Sequence, residues 1–106
     1  MNIRKIQQSG GKGKGLVVEG YDHYVALDWS QQTMAIAHMG RRQSEPVLFE
    51  RRSSLRALKE YLGTLKGRTI LVVEETTTAQ WLYLELRGSV ERMVICDPYR
   101  NRLLSE

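Results

Sequence analysis

Read for hydrophobic period, the chain divides into seven segments. Over His23–Ser30, Val25, Leu27 and Trp29 alternate with Tyr24, Ala26 and Asp28, the period-2 pattern of a β-strand. A short polar connection leads to a second apolar run, Thr33–Met39, so the two read as a hairpin, although the turn Ser30-Gln31-Gln32 lacks the Asn-Gly signal of a tight loop. The turn Gly40–Pro46 precedes a third strand, Val47–Arg51, with proline where a strand start tolerates it. Three consecutive strands of this kind form an antiparallel meander.

The period then changes. Leu55, Leu58, Leu62 and Leu65, with Tyr61, share one helical face behind a candidate N-cap at Ser53 or Ser54, and Gly67 follows a helix of about a dozen residues. Thr69–Val73 is uniformly apolar, as in a central strand buried on both faces. Thr76-Thr77-Thr78 offers N-caps for a second helix, whose inner face is Ala79, Leu82, Tyr83 and Leu86 and whose expected C′ residue is Gly88. Arg92–Cys96 is a fifth strand closed by Asp97-Pro98. The remainder to Glu106 carries no capping signal, and Leu103 and Leu104 are expected either to pack locally or to mediate a homo-oligomer contact.

The order β-β-β-α-β-α-β predicts an α/β, ribonuclease H-like fold: a five-stranded mixed sheet in the order 3-2-1-4-5 with helical crossovers. The crossover after the third strand lets the fourth lie parallel to the first. Ahead of the sheet, residues 1–15 hold Arg4, Lys5, Lys12 and Lys14, no acid and four glycines. The spacing is not that of a phosphate loop. A flexible basic arm over 1–21 and a folded domain over 22–106 are expected.

Composition narrows the class. A chain of 106 residues, 42% hydrophobic and 26% charged, suits one soluble domain. No apolar run approaches a membrane span, and Arg4-Lys5 leads into polar residues rather than a secretory h-region. The single cysteine, Cys96, sits in an apolar run and is expected as a buried thiol, which fits a reducing cytoplasm. A net charge of +4 and a pI near 9.5 favour an anionic partner. The clustered pairs Arg41-Arg42, Arg51-Arg52 and Arg100/Arg102 suit phosphate contact, with Arg41, Arg42, Arg100 and Arg102 the candidate nucleic-acid ligands.

Two strands end in acids. Asp is depleted in strands, so Asp28 near the end of an apolar run calls for a compensating partner. Glu74-Glu75 closes the apolar fourth strand, and in the predicted strand order Asp28 and Glu74 are neighbours. Two such carboxylates suit Mg²⁺ or Mn²⁺, hard cations that keep waters and a substrate phosphate. Glu75 should point to the opposite side from Glu74, and Asp97 is a further candidate whose alternative role is to form an Asp-Pro turn. His23, His38, Cys96 and Ser30 match no zinc, triad or nucleophile-elbow spacing and read as structural.

Tyr24–Ser30 resembles the opening GxDxS strand of DEDD (RuvC-like) insertion-sequence transposases, and Val72-Val73-Glu74-Glu75-Thr76 looks like that family's vvEaT motif. The resemblance spans residues 23–102. It implies that Asp28 and Glu74 are the first and second acids of a metal-binding tetrad and that Glu75 is a variable position. It also implies metal-dependent DNA cleavage and strand exchange, with DNA and a guide RNA as partners. The family's last two acids lie in a DxxDA motif after the fifth strand. This chain reaches Glu106 without one, so the expectation is an N-terminal piece of the catalytic domain, inactive alone. The alternative is a non-catalytic nucleic-acid-binding or self-associating module on the same fold. An actin-like or sugar-kinase-like ATPase is disfavoured, because no glycine follows the first Asp strand.

Overall fold

A computed structural model describes residues 20–97 and 102–105. Six strands and two helices follow in the order β1 (His23–Trp29), β2 (Thr33–Gly40), β3 (Val47–Arg52), α1 (Leu55–Gly63), β4 (Thr69–Glu74), α2 (Ala79–Leu86), β5 (Arg92–Asp97) and β6 (Arg102–Ser105). They form one mixed sheet in the order β3-β2-β1-β4-β5-β6. The expected 3-2-1-4-5 arrangement is therefore present. β1–β3 are an antiparallel meander, and β4 lies parallel to both β1 and β5.

β6 extends the sheet beyond the expectation. It pairs antiparallel with β5, with Asp97 opposite Arg102 and Ile95 opposite Leu104. Four residues are too few for a period to be read, which is why the segment carried no strand signal. The backbone of Leu103 and Leu104 is thus engaged within the sheet.

Both helices pack on one face. Leu58 and Leu62 of α1 and Ala79, Leu82 and Leu86 of α2 join Val25, Leu27, Leu71, Val73, Met93 and Ile95 in a single buried cluster. Each fully buried leucine of this kind contributes about 1.5–3 kcal/mol. The other face carries a second buried cluster of Tyr21, Tyr24, Met39, Ile70, Val72 and Val94. β4 feeds both clusters, and Ile70 through Val73 are at most 2% exposed, as the unbroken apolar run requires. Tyr21, expected at the end of a flexible arm, is core; residues 1–19 of that expected arm lie outside the described residues.

The helices differ from their sequence signals in detail. Ser54, one of the two candidate caps, accepts from the Ala57 N–H at 3.1 Å. α1 has nine residues rather than a dozen, because Thr64 ends it by turning its N–H back to the Leu62 and Tyr61 carbonyls, leaving Leu65 beyond the helix. Thr78 occupies the N-cap position of α2 without a side-chain cap bond, its hydroxyl instead lying 3.1 Å from that of Thr76. Gly88 does not close α2 in a left-handed conformation. It lies in a 3₁₀ turn, Arg87–Ser89, while the left-handed glycines among the described residues are Gly20 and Gly67.

Gly67 holds the turn between α1 and β4. Its φ is +101°, and a Cβ there would run into the Asp22 carboxylate. That carboxylate accepts the Arg68 N–H at 2.8 Å and pairs with Arg41 at 3.2 Å. Its pKa is lowered, first by the Arg68 amide and also by Arg41, against the opposing effect of desolvation. The Asp22 and His23 amides both donate to the Arg68 carbonyl, at 2.7 and 3.1 Å. The start of β1 is thereby tied to the start of β4, which sets their register. Gly67→Ala is expected to lower stability by about 2 kcal/mol, from left-handed strain together with displacement of Asp22. Chemical denaturation read by circular dichroism checks this, and a loss within experimental error would contradict the turn described here.

Candidate functional site

The parallel register pairs Leu27 with Val73, and both side chains enter the helix-side cluster. Side chains alternate along a strand. The next residues, Asp28 and Glu74, therefore project together on the opposite face, at the carboxyl ends of adjacent strands about 4.8 Å apart. Asp28 is exposed and Glu74 half-buried. The compensating partner anticipated for Asp28 is thus not required by burial, since water solvates its carboxylate.

Glu75 lies past the strand end, where its N–H donates to the Cys96 carbonyl at 2.8 Å and its side chain is exposed. The backbone of Asp97 ends β5 opposite Arg102. Cys96 is half-buried against the second cluster rather than fully enclosed. Ser30, as expected, is structural: its hydroxyl donates to the Thr33 carbonyl at 2.8 Å and accepts the Thr33 N–H at 3.1 Å, closing the β1–β2 turn.

One acid enters the neighbourhood unannounced. Asp28 pairs with Ala35, and Ala35 pairs with Glu50. Glu50, Asp28 and Glu74 consequently stand in one row across β3, β1 and β4, with an alanine between the first two. The next row on that face is Leu48, Ala37 and Ala26. The small side chains leave a groove of about 510 Å³ over β1–β3, lined among others by Ala26, Asp28, Ala35, Ala37, Leu48 and Glu50. Leu48 is 72% exposed at its rim. The alternation of Leu48, Glu50 and Arg52 was a signal in the sequence, but placing Glu50 in line with Asp28 requires the register of two hairpins. Among the described residues no group of three or more His, Cys, Asp or Glu side chains converges on a metal-sized site. Asp28 and Glu74 are the carboxylates that follow the paired Leu27 and Val73 on adjacent parallel strands.

The arginines divide between the two ends of the sheet. Arg41 and Arg42 follow β2 at the end where β1 begins, away from Asp28 and Glu74. Arg41 is committed there to Asp22 and to the Tyr21 carbonyl, the latter at 3.3 Å. Arg102 starts β6 opposite Asp97, so its backbone lies at the acid-bearing end, and Arg100 falls outside the described residues. Arg51 and Arg52 end β3, also at the acid-bearing end.

The two histidines, unremarkable by spacing, meet in space. His23 Nε2 lies 3.0 Å from the Lys66 carbonyl, and His23 Nδ1 lies 2.9 Å from His38 Nε2. His38 Nδ1 in turn lies 2.7 Å from the Tyr61 hydroxyl. A carbonyl can only accept, so neutral His23 carries its proton on Nε2 and accepts at Nδ1. His38 then donates from Nε2 and accepts from Tyr61. The direction runs Tyr61 to His38 to His23 to Lys66, tying α1 to β2 and β1. Period-2 reading puts both histidines on the helix face, but their adjacency again needed the register.

Compared with protein families, curated proteins and solved structures, the chain matches none.

Burial lowers the pKa of His38 from its ordinary 6.5, with a further push from His23, and burial raises that of Tyr61. A histidine whose pKa is depressed by folding contributes stability above its unfolded pKa and loses it as the pH falls. The denaturation midpoint is therefore expected to drop as the pH is lowered from 7.5 through 6.5 to 5.5. His38→Gln should flatten that drop while costing about 1 kcal/mol at pH 7.5. An unchanged pH profile in the variant would place the titration elsewhere.

Proposed function

We propose that this chain carries a ribonuclease H-like catalytic sheet of the DEDD (RuvC-like) transposase kind, in which Asp28 and Glu74 hold a divalent cation for work on a DNA phosphodiester. One observation carries the reading: two carboxylates stand side by side, on one face, at the carboxyl ends of the parallel strands β1 and β4. The strand order and the resemblance of Tyr24–Ser30 and Val72–Thr76 to the family's first two motifs support it.

The donor set fits Mg²⁺ or Mn²⁺ in kind. Carboxylate oxygens are the hard ligands these ions prefer, and an exposed Asp28 leaves room for the retained waters. Glu74 is fixed by the strand that both clusters bury, while Asp28 is the penultimate residue of a strand paired on both edges. The chain's contribution is thus a pre-positioned pair of acceptors at a set spacing. A bound ion would add Lewis-acid polarisation of a phosphoryl oxygen. In the family a tetrad does the work, and no Asp-x-x-Asp-Ala occurs in residues 1–106, so two of four carboxylates are assigned here. DNA is the proposed substrate, and a guide RNA is the further partner that the family implies.

Two carboxylates and water give weak binding, with a Kd on the order of millimolar for Mg²⁺. Manganese titration followed by electron paramagnetic resonance should show one such site, with Asp28→Asn and Glu74→Gln each weakening it at least tenfold. The 106-residue chain should not cut DNA. Manganese binding indifferent to both substitutions would remove the metal reading, and metal-dependent cleavage abolished by Asp28→Asn would show the pair to be sufficient.

A further inference from the structure

At the acid-bearing end of the sheet, beside the β1–β2 turn, a polar cavity of about 730 Å³ is lined by Gln31, Gln32, Thr33, Arg51, Arg52 and Ser53, with Glu50 on its groove side. The cavity takes its acid-face charges from Glu50 and Arg52, Arg51 standing with Phe49 on the helix face. Its walls are held in place. Ser53 donates from its N–H to the Gln32 carbonyl at 2.9 Å and from its hydroxyl to the Ser30 carbonyl at 2.6 Å, clipping the end of β3 to the turn. The Arg51 guanidinium lies 5.2 Å from the centre of the Phe49 ring and donates to the Glu50 carbonyl at 2.8 Å.

Some of the described arginines are held in ion pairs and others, Arg42 and Arg87 among them, are not. Arg41 is paired with Asp22, Arg56 with Glu60 and Arg68 with Glu91, whereas Arg51 and Arg52 form no ion pair among the described residues. Both are exposed. Their position is tied to the acids by register. Met34 pairs with both Trp29 and Arg51, and Thr33 pairs with Arg52. Arg52 thus stands on the acid face two residues beyond the acid row and two strands across from β1, a lateral distance of about 10 Å, with Arg51 on the opposite face.

We infer that Arg52, with the side-chain amides of Gln31 and Gln32, forms a cradle for the phosphate backbone of a nucleic acid whose neighbouring phosphodiester lies over Asp28 and Glu74. The chemistry is sequence-independent: guanidinium forks and amide N–H groups donate to phosphate oxygens and fix the strand's track without reading bases. Arg41 and Arg42, at the other end of the sheet, are outside this track. The inference rests on the phosphodiester reading of the acid pair, but its test does not depend on metal binding.

The test is fluorescence anisotropy of the full chain with a fluorescein-labelled DNA duplex of ~20 base pairs in EDTA, over ~50–200 mM KCl, with circular dichroism to verify folding of each variant. Each phosphate contact adds ~0.9 to the slope of log K against log salt. Arg52→Gln should therefore flatten the slope by ~0.9, while Arg42→Gln and Arg51→Gln leave it unchanged. Absence of manganese binding by the unmodified chain, with the arginine effect intact in EDTA, would overturn the metal reading alone. Equal effects of Arg42→Gln and Arg52→Gln would overturn the cradle. So would the absence of salt-dependent binding by the unmodified chain, or an arginine-dependent affinity for phosphatidylserine vesicles without affinity for DNA.

Discussion

The parallel pairing of β1 with β4 is the constraint on which everything else in this fold depends. β4 can be uniformly apolar only because it is flanked by a strand on each edge and a buried cluster on each face. β1 can carry a charged residue next to its end because Asp28 points away from the helix-side packing that Trp29 joins, into water. The register between the two is set at their beginnings, where the Arg68 carbonyl takes two amide protons from β1 and Asp22 returns the bond. Once the beginnings are aligned, alternation carries Asp28 and Glu74 to the same face five or six residues later.

The two ends of the sheet are built differently as a result. The end where β1 starts is laced by Asp22, Arg41, Arg68 and Glu91, by the left-handed Gly67, and by the histidine chain that anchors α1. The end where β1 finishes has a two-residue turn closed by Ser30 and the starts of both helices, with acids and unpaired arginines left on the surface. One end spends its polar groups on each other, and the other presents them outward.

Much of this architecture was legible in the sequence, and the reasons are specific. Period-2 and period-3.6 runs separated by turn residues located β1–β5 and both helices, and the apolar Thr69–Val73 run marked the one strand needing cover on both faces. Chain connectivity then implied the strand order, which put Asp28 beside Glu74. Other features depend on pairing between strands distant in sequence. Glu50 joins the acid row, His23 meets His38, and Arg51 and Arg52 share an end with Asp28 only after the register of β1–β2 and β2–β3 is known. β6 is too short to show a period, and Gly88 gave the composition of a left-handed cap without the conformation.

The latch between Asp22 and Arg68 spans 46 residues of chain. The hairpin β1–β2 closes a loop of two residues, so its entropic cost is small, whereas closing the long loop costs several times RT and is not repaid until β4 docks. In kinetic terms the meander is the local, early structure, and the β1–β4 seam is the non-local contact that sets the pace. The paired carboxylates do not exist in a chain that has formed only its hairpins. The side-by-side placement of Asp28 and Glu74 exists only once β4 has docked on β1.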